Sequence, residues 1–215
     1  PFVLKTGNER AIRTLFADLT RPTPMQRLLH GDVGSGKTAV VFAAALLIAR
    51  AGGQSLLMAP TEVLAEQHGR TLAVWGGKAG LRVGVLHAGL PAQERRRVLA
   101  AAARGATDLL VGTHALLEGG LRVPRLALAI VDEQHRFGVR QRAALRRAGR
   151  WIPDKKTDMV SHLLVLSATP IPRSLALTAY GDLDLVTLDE SPPGRQVVAT
   201  SLCVGEAARG EALAA

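Results

Sequence analysis

The sequence predicts an α/β fold, with a mostly parallel β-sheet that is flanked by helices on both faces. Short apolar runs alternate along the chain with amphipathic or alanine-rich segments, which is typical of a doubly wound α/β domain. The apolar runs are continuous, which indicates strands that are buried on both faces. The chain has 215 residues, of which 47% are hydrophobic and 3% aromatic, so it can form one large domain or two small ones around an aliphatic core.

The individual elements follow from these runs and from residues that favour helix ends. Thr61 is suited to cap a helix, with Glu62 in the first turn, and Pro91 is suited to the start of another. The predicted strands lie at 28–29, 55–59, 83–86, 108–111, 126–131, 163–166, 185–188 and 197–202. The predicted helices lie at 39–49, 62–75, 91–103, 139–148 and 173–180.

Two polar segments interrupt this pattern. Residues 149–161 are polar and charged, and we expect an exposed loop there. Residues 190–195 read ESPPGR, a proline and glycine break that predicts the end of the domain. We therefore expect one domain over 1–195 and an exit segment over 196–215.

Residues 31–38, the phosphate loop, read GDVGSGKT and fit the phosphate-binding pattern of nucleotide hydrolases. An apolar strand precedes the loop and an apolar helix follows it, which argues against a glycine-rich turn with a chance lysine. Glycines let the backbone N–H groups point at phosphate oxygens, and the helix N-terminus adds its positive dipole end. Lys37 would reach the β- and γ-phosphates of ATP, and the Thr38 hydroxyl would bind Mg²⁺. The predicted nucleotide-binding residues are Gly31, Asp32, Val33, Gly34, Ser35, Gly36, Lys37 and Thr38.

Asp132 and Glu133 supply a second chemical signal at the end of the apolar run 126–131. In open α/β sheets, ligands bind at the carboxyl ends of strands, where the phosphate loop also lies. Asp132 would hold Mg²⁺ and Glu133 would orient the attacking water. The alternative is an acidic strand end that faces solvent, but the phosphate loop itself calls for a metal-binding carboxylate nearby.

Composition points to a polyanionic partner and to a reducing compartment. The formal charge is +9 and the sequence pI is about 10.9, which suits nucleic acid, although an arginine-rich protein of another kind could carry the same charge. The single cysteine cannot form a disulfide within the chain, which fits a cytoplasmic protein. The apolar run at 39–49 is too short to span a bilayer, so we expect no membrane segment. The chain begins without methionine, and we expect it to be a fragment.

Several stretches together resemble superfamily 2 helicases. GDVGSGKT is followed in order by APTEVLAEQH (59–68), GTHALL (112–117), DEQHRFGVRQR (132–142), SATPIPR (167–173) and SPPGR (191–195). These stretches look like helicase motifs I, Ia, Ib, II and III, and their wording resembles the RecG family of branch-migration helicases. The resemblance implies a RecA-like P-loop NTPase domain over 1–195, the ATP-binding motor lobe of a DNA helicase. Segment 196–215 would then lead to a second helicase lobe.

The resemblance also implies roles for individual residues. Gln134 and His135 would lie near the γ-phosphate and the opposing lobe. Nucleotide state would be coupled to DNA through Ser167, Ala168 and Thr169. Arg173 would contact DNA or the second lobe. The motifs that contain Thr61, Glu62, Thr113 and His114 would contact the DNA backbone, which carries no sequence information.

Two departures from the family pattern bear on function. Asn8 stands where the family usually carries a glutamine that reads adenine, with an amide that is one methylene shorter. The resemblance therefore implies that Asn8 is part of the nucleotide site. The second lobe with its arginine finger and the N-terminal wedge domain that grips branched DNA are not in this sequence, so we expect the isolated lobe to be nearly inactive. Two alternatives stay open: the motor lobe of a Mfd-like transcription-repair coupling translocase, and a regulatory nucleotide-binding module without helicase activity.

Overall fold

The computed structural model describes residues 4–113, 116, 121–132, 150–151, 159–168, 183–189 and 204. The predicted helices at 139–148 and 173–180 and the predicted strand at 197–202 lie outside the described residues. The same is true of six predicted site residues, which are His114, Glu133, Gln134, His135, Thr169 and Arg173.

Helices and strands alternate along the described part of the chain. The helices are α1 (Thr6–Leu19), α2 (Lys37–Arg50), α3 (Glu62–Ala79) and α4 (Ala92–Ala103). The strands are β1 (Gln26–Gly31), β2 (Gln54–Met58), β3 (Val83–Leu86), β4 (Leu109–Gly112), β5 (Leu126–Asp132), β6 (Arg150–Trp151), β7 (Met159–Val160), β8 (His162–Ser167) and β9 (Asp184–Leu188). The strands and helices predicted in the described ranges are present, with ends that differ by a few residues. Thr61 caps α3 as predicted, since its hydroxyl accepts a hydrogen bond from the Leu64 N–H at 3.3 Å.

Seven of these strands form one sheet in the order β3-β4-β2-β5-β8-β1-β9, and each neighbouring pair is parallel. The prediction of a mostly parallel sheet is therefore confirmed. Strand β8 lies between β1 and β5, with His30 opposite Ser167 and Asp132 opposite Leu166. Because parallel strands end at the same edge, the phosphate loop after β1 and Asp132 at the end of β5 meet at the carboxyl edge of the sheet.

Both faces of the sheet are covered by apolar side chains, as the continuous strand runs predict. Successive residues of a strand point to opposite faces, so Leu57 and Ile130 join one core cluster and Leu56 and Val131 join the other. The first cluster includes buried residues of α1, α2 and α3, and the second includes Ala102 of α4. No helix in the described ranges has the length and apolar character needed to cross a bilayer.

Helix α1 is an element that the sequence analysis did not predict. Its inner face buries Asn8, Ala11, Leu15 and Asp18, which recur at helical spacing. Asp18 ties the end of the helix to β1, because its carboxylate accepts a hydrogen bond from Arg27 Nε at 2.6 Å. Both side chains of this ion pair are nearly buried. The pair holds α1 beside β1, and thereby holds Asn8 near the phosphate loop.

The prediction of an exposed loop over 149–161 is wrong at both ends of that range. Strands β6 and β7 pair in antiparallel fashion, with Arg150 opposite Val160 and Trp151 opposite Met159. Ser161 is buried, directly before β8. The ends of the segment carry aromatic and apolar residues that favour strands, and the polarity of the segment as a whole conceals them.

Candidate functional site

The phosphate loop joins β1 to α2 in the predicted strand–loop–helix arrangement. Gly34 and Gly36 have φ values of +81° and +94°, a left-handed backbone conformation that residues with a side chain rarely adopt. Gly36 is also the N-cap of α2, so the loop runs directly into the positive end of the helix dipole. The loop geometry therefore suits an anion at the start of α2.

Lys37 lies in the first turn of α2, and its side chain folds back over the loop. Its ammonium donates hydrogen bonds to the carbonyl oxygen atoms of Gly31 at 2.5 Å and Asp32 at 2.9 Å. The loop is closed further by a hydrogen bond from the Ser35 N–H to the Asp32 carbonyl oxygen at 3.1 Å. A positive charge thus lies within the loop, where phosphate oxygens would be attracted to it.

Asn8, at the start of α1, is buried against the phosphate loop. Its Nδ2 donates to the Ser35 carbonyl oxygen at 2.9 Å, and its Oδ1 accepts from the Lys5 N–H at 3.4 Å. A Cβ atom added at Gly36 would lie 2.7 Å from Asn8 Nδ2, so the loop packs directly on this amide. The side-chain amide is therefore engaged with the loop backbone, and the prediction that Asn8 belongs to the nucleotide site stays a prediction.

Asp132 ends β5, two strands away from β1. A spacing of about 4.8 Å between neighbouring strands puts its backbone about 10 Å from β1, which leaves room for phosphates and a metal ion between the two. Ser167 ends the intervening strand β8 and is buried, and Ala168 follows it. The predicted coupling residues Ser167 and Ala168 therefore lie between the phosphate loop and the acidic residue.

The residues predicted to face DNA follow the next strands along the same edge. Thr61 is exposed and follows β2, whereas Thr113 follows β4 and is buried. Glu62 is held in place, because its Oε1 accepts from the Ala88 N–H at 3.2 Å and its Oε2 lies 3.4 Å from Nδ1 of His87. The predicted nucleotide site and the predicted DNA contacts thus form one row along the carboxyl edge of the sheet.

Known proteins resemble this arrangement in both sequence and structure. Residues 10–178 match the DEAD/DEAH box helicase family. The chain belongs to the DEAD/DEAH box helicase family. This helicase lobe is 45% identical to the ATP-dependent DNA helicase RecG of Pasteurella multocida over 214 residues, which cover 100% of the chain and 30% of that protein. It is 46% identical to RecG of Synechocystis sp. over 202 residues, which cover 94% of the chain and 23% of that protein.

The fold of the helicase lobe matches a structure of RecG bound to a three-way DNA junction. The TM-score is 0.76 at 39% sequence identity, and the match covers 92% of the chain and 25% of the RecG chain. The predicted RecA-like helicase fold and the resemblance to RecG are therefore confirmed, and membership of the family implies ATP-dependent activity. The chain spans about 23–30% of the length of the two curated relatives described above.

Sequence reasoning assigned no role to His68, although the structure brings it to Asp132. His68 Nε2 lies 2.7 Å from Asp132 Oδ2, and both side chains are mostly buried. One signal was present in the sequence, since His68 lies beside the buried residues Ala65, Gly69 and Leu72 on α3. A polar side chain next to a buried helix face requires a hydrogen-bond partner.

The donor groups of the helicase lobe fit ATP and Mg²⁺. Mg²⁺ prefers oxygen ligands and is usually bound through one or two protein oxygen atoms together with substrate phosphates. Thr38 offers a hydroxyl in the first turn of α2, and Asp132 offers a carboxylate at the same edge of the sheet. The ammonium of Lys37 and the glycine-rich backbone beside them suit the phosphates.

Proposed function

We propose that this chain is the ATP-binding motor lobe of a RecG-like helicase. The enzyme would couple ATP hydrolysis to movement along DNA and to remodelling of branched DNA, such as replication forks and Holliday junctions, in recombination and repair. The observation that carries the proposal is the row of residues along the carboxyl edge of one sheet, from the phosphate loop through Ser167 and Asp132 to Thr61 and Thr113. One continuous sheet underlies both ends of this row, so a change at the nucleotide end can be transmitted to the DNA end.

Each group at the nucleotide end has a distinct task in the proposed reaction. Lys37 and the backbone N–H groups of the loop bind the β- and γ-phosphates and fix their position. Thr38 and Asp132 would hold Mg²⁺, which neutralises charge on the phosphate oxygens when it is bound. Glu133 orients the water that attacks the γ-phosphorus in line and accepts its proton. Gln134 and His135, which lie outside the described residues, would act near the γ-phosphate and the opposing lobe.

The remaining motif residues connect hydrolysis to DNA. Ser167, Ala168 and Thr169 respond to the state of the nucleotide. Contacts to the sugar-phosphate backbone let the motor move along any sequence, and the charge of +9 favours such contacts. The segments proposed to contact DNA are those that contain Thr61, Glu62, Thr113 and His114, although Thr113 itself is buried. Arg173 would contact DNA or the second lobe.

The motor lobe works as part of a longer protein in this proposal. Residues 1–195 form the lobe, and 196–215 lead to a second RecA-like lobe that supplies an arginine finger. A wedge domain on the N-terminal side grips the branch point, and the protein acts in the cytoplasm. The length of the RecG relatives, of which the chain covers less than a third, supports this arrangement.

The proposal is tested by replacing Lys37 in a protein that includes the second lobe. We expect the parent protein to separate the strands of a synthetic fork when ATP is present, and Lys37→Ala to lose this activity. The matched control is Lys78→Ala, which removes an exposed lysine at the end of α3 and is expected to behave as the parent. If the fork is separated equally well by Lys37→Ala, or without ATP, the proposed function is wrong.

A further inference from the structure

The contact between His68 and Asp132 joins two motifs that the proposed function uses for different purposes. The atoms Nε2 and Oδ2 are 2.7 Å apart, which is the distance of a strong, charge-assisted hydrogen bond. The side chains are 17% and 12% exposed, so water competes little for either group. His68 belongs to α3, whereas Asp132 ends β5.

The direction of this hydrogen bond follows from the chemistry of the two groups. An ionised carboxylate can only accept hydrogen bonds, so when Asp132 is ionised this contact requires the His68 tautomer that carries its proton on Nε2. The donated bond occupies one lone pair of Oδ2 and fixes the rotation of the carboxyl group. The remaining lone pairs of the carboxylate then point in fixed directions. Removing a hydrogen-bond partner that orients a metal ligand commonly lowers metal affinity by about 10–100-fold.

Helix α3 connects this bond to the opposite end of the row. The helix begins after Thr61, and Glu62 in its first turn is anchored to the segment after β3 through the Ala88 N–H. His68 lies about 9 Å further along the axis, at a rise of about 1.5 Å per residue. Because the helix is continuous between them, its backbone links His68 to the first turn of α3.

We propose that His68 is a positioning residue that aims the Asp132 carboxylate at Mg²⁺ and ties it to the DNA-facing end of α3. The inference rests on the proposed function, since it assigns Mg²⁺ to Asp132 and DNA to the start of α3. His68 does not touch the nucleotide in this proposal, and acts through the carboxylate. The consequence is that Mg²⁺ affinity depends on a residue of the helix that begins at the predicted DNA contacts.

The test compares side chains that differ in reach but not in chemistry. In His68→Gln the amide nitrogen takes the place of Nε2 and can still donate to Asp132, whereas the amide of His68→Asn is too short. The measured quantity is the Mg²⁺ concentration that half-saturates binding of a fluorescent ATP analogue to the purified protein, without DNA. We expect His68→Asn to raise this concentration about 10–100-fold. We expect His68→Gln to stay within about threefold of the parent, and analogue binding in EDTA to be unchanged in both variants.

Controls separate this role from packing and from the proposed function itself. Gln67→Ala changes the exposed neighbour on the same helix and should match the parent. If His68→Asn is poorly folded by its melting temperature, His68→Ala replaces it in the comparison. The inference would be overturned if the half-saturating Mg²⁺ concentration were the same in all variants, or if it rose by the same factor in His68→Gln and His68→Asn. If the parent protein shows no Mg²⁺-dependent binding of the ATP analogue, the proposed function is wrong instead.

Discussion

Asn8 offers a sharp test of how α1 supports the phosphate loop. Its Nδ2 donates to the Ser35 carbonyl oxygen at 2.9 Å, and the side chain is buried. Replacing Asn8 with alanine removes this donor and opens space beside Gly36, while the backbone of α1 can stay helical. We expect the loop to lose part of its preorganised shape, and nucleotide binding to weaken.

The size of the effect follows from the buried carbonyl group. Leaving a buried acceptor without its donor costs about 1–3 kcal/mol. If the whole cost falls on nucleotide binding, the dissociation constant rises about 5- to 150-fold, at about 1.4 kcal/mol for each factor of ten. Because the loop holds phosphates and not the base, ATP and GTP should be weakened by the same factor.

Isothermal titration of the Asn8→Ala variant with ATP and with GTP measures both factors. Glu9→Ala is the matched control, since Glu9 is exposed on the next position of α1. If Asn8→Ala weakened ATP while GTP stayed unchanged, Asn8 would act by reading adenine and the loop-support explanation would be refuted. Unchanged binding of both nucleotides would refute both explanations.

Three further predictions concern the scaffold of the site. Gly36→Ala should weaken nucleotide binding, because φ is +94° and the new Cβ would lie 2.7 Å from Asn8 Nδ2, whereas Gly77→Ala on α3 meets nothing within 4 Å and should leave binding intact. Asp18→Ala should lower the free energy of unfolding in urea by about 1–3 kcal/mol, because the nearly buried Arg27 loses its buried partner and is left with the exposed Asp184, 3.6 Å away. Loss of the exposed Asp189 partner of Arg10 should cost less than about 1 kcal/mol. Burial lowers the pKa of His162 from 6.5, against a smaller opposing effect of Asp18, and its Nδ1 accepts from the Met25 N–H at 2.9 Å. The unfolded state therefore binds more protons below about pH 6.5, so the free energy of unfolding falls as the pH falls. His162→Asn keeps an acceptor for the Met25 N–H and should make this decline shallower. An equal dependence of the free energy of unfolding in urea on pH in both proteins would contradict the prediction.

The sequence was most informative where one residue type alone satisfies a local requirement. Strands such as β5 are apolar along their whole length because both faces are buried, so they can be identified without knowing their neighbours. The phosphate loop was predictable because Gly34 and Gly36 are required by its backbone angles. Thr61 was predictable because an N-cap hydrogen bond spans three residues.

Features that depend on distant partners could not be predicted in this way. The hydrogen bond between His68 and Asp132 joins residues 64 positions apart, and nothing in their spacing indicates that α3 lies over the end of β5. Helix α1 buries few large apolar side chains, and the charged Asp18 on its inner face makes sense only with Arg27 of β1 beside it. Polar residues on buried faces were therefore not predictable from the sequence, and neither were the short strands β6 and β7 at the ends of a polar segment.

We propose that this chain carries half of a motor site, which hydrolyses ATP when the second lobe completes it. The decisive measurement is ATP hydrolysis with forked DNA present, for the chain alone and for the chain joined to the second lobe. An arginine finger contributes about 10³–10⁵ in rate, so the chain alone should be slower by about that factor. Robust DNA-stimulated hydrolysis by the chain alone would contradict this proposal, and so would the lack of any hydrolysis by the joined protein.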